Sequence, residues 1–228
     1  MPLVYIDPGH GGRDTSNGSP DGKYKEHEFS VDVGRRLRSL LLEQGVAVGM
    51  THEATFEAPA SLQARAQMAN QAGADLFVSL HTNAAAGTGA WHTASGLVVY
   101  TYAPGGVRDE LAKAILKRMG AAGVKLFGQQ LYHAKFAVLK YTSMPAVLIE
   151  YGVHDNQADV ELLRRIDYRQ KLAEATAQGI CDQLGVTWRG ARRYSVVLGT
   201  LDSLDTAKAV VAKLAEIGIE ATIKEEST

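Results

Sequence analysis

Four places in this sequence carry side chains suited to metal-assisted or acid–base chemistry, and each lies where a predicted strand ends or a predicted helix begins. His10 follows the apolar run of "VYIDPGHGGRD", His81 follows "DLFVSL", and Glu150 closes "PAVLI". The cluster "KEHE", Lys25 to Glu28, stands at the entry to the first long helical pattern. Two imidazoles and carboxylates on a rigid scaffold, with one position left for water, are the ingredients of a hydrolytic zinc site. Taken singly, each histidine also reads as an ordinary satisfied polar residue, and the glycines beside His10 as a turn. Their placement at one predicted edge is what favours the chemical reading.

The elements that must position them alternate. "LVYID", "VAVGMT", "DLFVSLH", "GLVVYTY" and "AVLIEYG" read as strands, mostly too continuously apolar to have one wet face. Val33, Leu37, Leu40 and Leu41 make a helical stripe that Gly45 stops, and Leu62, Ala66 and Ala69 make a weaker one. Further helices are predicted over about 107–119 and 168–184. This alternation implies an α/β fold, a mainly parallel twisted sheet with helices on both faces. In such sheets ligands gather at the carboxyl ends of the strands, where His10, His81 and Glu150 stand.

Composition excludes several classes. The 24 basic residues against 25 acidic ones lack the footprint of a general nucleic-acid binder. Cys181 is the sole cysteine, so neither an intrachain disulfide nor a thiolate-rich metal site is available, and its helical context makes it a small core hydrophobe. No stretch is apolar for long enough to span a bilayer, and no basic region leads into an apolar signal core. Synthesis in the cytoplasm without a signal peptide is the expectation.

The segments "IDPGHGG", "EHEFSVDVGRRL", "LQARAQMANQAGADLFVSLHTNA" and "MPAVLIEYGVHDN" together resemble the zinc-dependent N-acetylmuramoyl-L-alanine amidases of the amidase-3 type, peptidoglycan hydrolases, in the family's motif order. The resemblance covers about residues 1–185. It implies a zinc ion held by His10, Glu26 and His81, with Glu150 as the catalytic acid or base. "KEHEF" offers Glu28 as well, but the register that puts Phe29 and Val31 on the apolar helix positions favours Glu26, leaving Glu28 as a solvated first-turn acid. Asp7 has two readings, orienting a ligand histidine or forming a turn before proline. Asn83 fits a substrate-facing loop or a turn cap. Arg65 and Asn70 match the family's "LxxRxxxAN" helix and are expected to bind helix to sheet. His133 is read as exposed, and His52, His92 and His154 as surface residues. Where relatives have "ExGFxSN", this chain has "EYGVHDN", so Val153 replaces an aromatic and His154 is unusual.

After "DQLGV" the character changes. Residues 186–193 read as a basic linker, and residues 194–228 as strand, helix, strand, with an apolar stripe of Ala207, Val210, Val211 and Leu214. The opening "YSVVLGTLDSLDTA" resembles the first half of a SPOR domain, a peptidoglycan-binding module. So short a unit is a poor independent core. It either pairs between chains, giving a homodimer, or docks on the catalytic domain; pairing is the expectation preferred. The sequence thus points to a wall amidase of the phage endolysin or sporulation mother-cell type, acting on peptidoglycan after release. A zinc carboxypeptidase on stem peptides and a non-catalytic wall-binding protein are the alternatives.

Overall fold

The computed structural model describes residues 1–58, 61–86, 89–191, 201, 203–216 and 221–223. Six strands form one sheet: β1 (Leu3–Pro8), β2 (Ala47–Met50), β3 (Leu76–Asn83), β4 (Leu97–Thr101), β5 (Leu126–His133) and β6 (Ala146–Val153), in the order β2-β1-β3-β6-β4-β5. Every neighbouring pair is parallel except β4 with β6. The helices are α1 (Glu26–Glu43), α2 (Leu62–Gln71), α3 (Val107–Ala121), α4 (Ala137–Lys140), α5 (Gln157–Leu163), α6 (Ile166–Leu184) and α7 (Leu204–Glu216). The mainly parallel α/β expectation is therefore met. Among the described residues, no helix is long and apolar enough to cross a membrane.

Both faces of the sheet are covered because its strands carry apolar residues at odd and even positions alike. Val4, Ile6, Val78, Leu80, Val147 and Ile149 face one way, into a core shared with Phe29 and Leu37 of α1, Leu111 and Ile115 of α3, and Ile180 of α6. Tyr5, Phe77, Ala146 and Leu148 face the other way, against Ala69 of α2 and Val138 and Leu139 of α4. The first layer is built of long helices and the second of short ones. Gly179 lets α6 approach α3, since a Cβ there would fall 2.6 Å from the Ile115 Cα.

The sequence reading did not contain β5, α4 or α5. Most of β5 is exposed at the sheet's edge and carries no alternating pattern. Its ladder to β4 also slips: Leu97 opposes Leu126 but Val99 opposes Leu131, so residues 127–130 bulge out, with Gln130 at φ 69°.

The chain divides into two compact units, Met1–Ala191 and Arg192–Thr228. Residues 186–191 are tied to the first: Gln44 accepts the Arg189 N–H at 2.8 Å and donates to the Gly190 carbonyl at 3.2 Å, and Trp188 packs on the core. In the second unit α7 forms over the expected stripe, with Ala207, Val210, Val211 and Leu214 its half-buried side. The strands expected around it, and hence the SPOR-like reading and the dimer built on it, fall largely on positions outside the described residues.

Candidate metal centre

His10 sits in the loop that leaves β1, and one buried guanidinium sets the path of that loop. Arg65, 5% exposed on α2, donates to Asp7 Oδ1 at 2.9 Å, to the Pro8 carbonyl at 2.6 Å and to the His10 carbonyl at 2.8 Å. Asp7 in turn accepts from Thr51 Oγ1, just past β2, and from Ser79 Oγ of β3, both at 2.8 Å. A buried charge held this way is compensated from several sides. Among the described residues the side-chain partners of Asp7 are Thr51, Ser79 and Arg65, so it anchors the arginine that shapes the histidine's loop. His10 itself adopts φ 59°, a conformation uncommon for a residue with a Cβ and sustained here by that clamp.

The glycine ahead of His10 has a spatial reason. A Cβ on Gly9 would lie 2.5 Å from the His81 imidazole and 2.7 Å from the Leu80 carbonyl, while its N–H donates to that carbonyl at 2.8 Å. The two histidines are close because no side chain separates them. Their ring centroids are 5.0 Å apart at 84°.

Glu26, the first residue of α1, lies between them and is 2% exposed. Its Oε2 is 3.3 Å from His10 Nε2; its Oε1 is 3.0 Å from His81 Nδ1 and accepts the Thr82 N–H at 2.9 Å. One donor atom from each of His10, Glu26 and His81 can be chosen so that all lie within 4.8 Å of one another. Glu28 is exposed on the opposite side of the helix. Two imidazole nitrogens and one carboxylate oxygen form the set that suits a catalytic zinc, so the residues fit the ion the sequence implies.

Electrostatics separate the four groups. Burial alone would lower the His10 pKa, but Glu26 and Asp14 outweigh it and raise it to about 9. His81 is likewise buried yet shifted upward by Glu26. Burial pushes the Glu26 carboxyl up, and the hydrogen bonds from His10 and His81 more than reverse that, holding it well below the usual carboxylate range. Glu150 behaves in the opposite way. It lies directly across from His81 in the β3–β6 ladder, and burial, with Glu26 nearby, raises its pKa to about 7 against the pull of the two histidines. Its Oε2 is covered and accepts no hydrogen bond from the described residues. A buried carboxylate oxygen without a protein partner is uncommon in a folded chain.

Several supporting residues were not anticipated. Asp14 Oδ2 lies 2.7 Å from His10 Nδ1, a contact that the His10/Asp14 spacing of four could have suggested, and Asn17 Nδ2 lies 2.9 Å from the same nitrogen. Behind Glu26, His154 Nδ1 donates to the Thr82 carbonyl at 2.9 Å and stands 3.6 Å from Glu26 Oε2, while Tyr24 donates to Thr82 Oγ1 at 3.2 Å. His154 and His52, read as surface residues, are 7% and 5% exposed: the first backs the donor set and the second lies beside Thr51, with Nδ1 3.1 Å from its hydroxyl. His133 is exposed as expected, 2.9 Å from Thr101 Oγ1. Asn83 ends β3, where its carbonyl accepts the His154 N–H at 2.8 Å. Asn70 ties α2 to the turn before β6, donating to the Tyr141 carbonyl and accepting the Ser143 N–H.

Comparison with known proteins identifies the family. The family model Amidase_3, N-acetylmuramoyl-L-alanine amidase, matches residues 4–182. The N-acetylmuramoyl-L-alanine amidase CwlM of Bacillus licheniformis is 31% identical over 226 residues, 98% of this chain and 85% of its own length. The endolysin of Bacillus phage SPP1 is 34% identical over 192 residues, covering 81% of this chain and 66% of that protein. Among solved structures, the catalytic domain of CwlV, an amidase from Bacillus (Paenibacillus) polymyxa, superposes with a TM-score of 0.73 at 26% identity, over 82% of this chain and all of that one. AmiC2 of Nostoc punctiforme does so with a TM-score of 0.69 at 32% identity, over 81% of this chain and 97% of its own. The chain belongs to the Amidase_3 family of N-acetylmuramoyl-L-alanine amidases.

Proposed function

We infer that the protein hydrolyses the amide between the lactyl group of N-acetylmuramic acid and the L-alanine that begins the stem peptide, with His10, Glu26 and His81 as ligands of a zinc ion and Glu150 as general acid and base. The observation that carries this reading is the convergence of two imidazoles and a buried carboxylate beside the unpartnered carboxylate of Glu150. When bound, zinc supplies Lewis acidity toward the amide carbonyl and acidifies water.

The remaining work falls to this chain's own groups. A carboxyl group whose pKa is about 7 exchanges a proton readily in neutral solution, so the Glu150 carboxylate can take a proton from the attacking water and return it to the leaving nitrogen. Thr82 N–H occupies one lone pair of Glu26 Oε1 and fixes the tilt of the carboxylate. Arg65, through the His10 carbonyl, keeps the first imidazole in reach. The relatives include an endolysin and a sporulation-specific amidase of Bacillus subtilis, and a lytic role on the wall after release from the producing cell is part of the proposal.

The test is digestion of purified peptidoglycan by protein that has been stripped with a chelator, with and without zinc added back, followed by mass analysis of the soluble products. Stem peptides with free N-terminal L-alanine, released only with metal, are the expected outcome. Single amino acids trimmed from the peptide's other end would instead mark a carboxypeptidase and overturn the reading.

A further inference from the structure

On the face of the sheet that carries Glu150, an aromatic surface continues outward from the candidate site. Glu150 opposes His81 on one side and Val98 on the other; Tyr100, two residues along β4, opposes Leu148 and shares the Glu150 face. Tyr100 is thus a diagonal neighbour of Glu150, at a separation of roughly 7–8 Å for such a pair. Tyr132 is its direct partner on β5, with ring centroids 5.8 Å apart, and Phe136 meets Tyr100 edge-on at 5.1 Å. Both tyrosines are half-buried and Phe136 is 38% exposed.

The bulge in β5 holds Tyr132 in place. Its hydroxyl accepts the Gln129 N–H at 3.0 Å and rests where a Cβ on Gly128 would come within 2.3 Å of it. Bulges at sheet edges commonly redirect a side chain toward a site. The three rings carry no cation: the cation–π contacts among the described residues fall on Tyr141, Phe29 and Tyr168. An uncharged run of ring faces suits a neutral ligand with C–H-lined faces and a wet polar rim. Of the two arms leaving the scissile amide, the stem peptide bears carboxylates and the glycan's N-acetylglucosamine units are neutral.

We propose that Tyr132, Tyr100 and Phe136 form a subsite that holds an N-acetylated sugar ring of the glycan strand next to the muramic acid being cut. The identity of the polymer rests on the proposed function. Kinetics on two soluble substrates with the same stem peptide, one on muramic acid alone and one within a tetrasaccharide, separate the possibilities. For Phe136→Leu and Tyr100→Leu, KM on the tetrasaccharide rises roughly three- to tenfold with kcat unchanged, KM on the single-sugar substrate is unchanged, and Phe136→Tyr behaves as wild type. Equal losses on both substrates, or none, overturn the subsite.

Binding of an N-acetylglucosamine tetramer, compared between the full-length wild type and Phe136→Leu, tests the subsite without turnover. Weaker binding by the variant supports it and equal binding overturns it. A wild type that releases no L-alanine-led peptide refutes the proposed function and leaves this binding comparison standing.

Discussion

Replacing Glu150 with glutamine separates the chemistry of this residue from its energetic cost. The carboxyl group is raised from 4.5 to about 7 chiefly by burial, so the folded metal-free protein resists its ionisation. At about 1.4 kcal/mol for each factor of ten, the ionised form is disfavoured by on the order of 3 kcal/mol. The sign follows from proton counts. Below pH 4.5 both states are protonated and ionisation contributes nothing. Between 4.5 and about 7 the unfolded chain loses its proton first, so the group's contribution to stability falls as pH rises, and above 7 the loss is complete. Glutamine cannot ionise. The stability of Glu150→Gln relative to wild type, both metal-free, should therefore climb by on the order of 3 kcal/mol between pH 4.5 and 8, or up to roughly 10 °C in Tm. Paired urea titrations across that range measure it. On metal-loaded protein the same substitution should lower kcat by about 100- to 10,000-fold with metal content unchanged. A stability difference that does not change with pH would overturn the raised pKa of Glu150, and a rate within tenfold of wild type its role as acid and base.

Gly9→Ala should force the His81 ring aside, since the new methyl lies 2.5 Å from it; metal affinity should fall by about 10- to 100-fold in a chelator competition, with the helical circular-dichroism signal retained. His10, with a pKa of about 9, is charged at neutral pH when no metal is bound, so zinc uptake at pH 7 should release protons, read by calorimetry in buffers of different ionisation enthalpy. The same raised value means that the His10 contribution to metal-free stability is full below pH 6.5 and is lost as pH rises through 9. Gly179→Ala places a Cβ 2.6 Å from the Ile115 backbone and should cost about 1–3 kcal/mol in denaturant unfolding while leaving kcat unchanged, because α3 and α6 lie on the sheet face opposite Glu150.

The sheet was legible because its strands are buried on both faces and so read as continuous apolar runs; the candidate site was legible because His10, His81 and Glu150 stand at the ends of those runs. The structure brings Glu26 to the two histidines and leaves Glu28 exposed. What escaped the sequence depends on distant partners. The burial of His154 is made by Thr82, 72 positions away, and the role of Asp7 by Arg65, 58 positions away. β5 joins the sheet through its backbone, and a strand whose side chains mostly face water leaves no periodic mark. α4 and α5, at 4 and 7 residues, are too short for a helical period to show.

The Arg65 clamp bears on how the His10 loop comes by its shape. The loop of His10 is held by a guanidinium, a carboxylate and two hydroxyls that belong to the folding core, so its shape is a product of folding itself. On the proposed function, a loop braced by the core in this way would take up its ion without refolding.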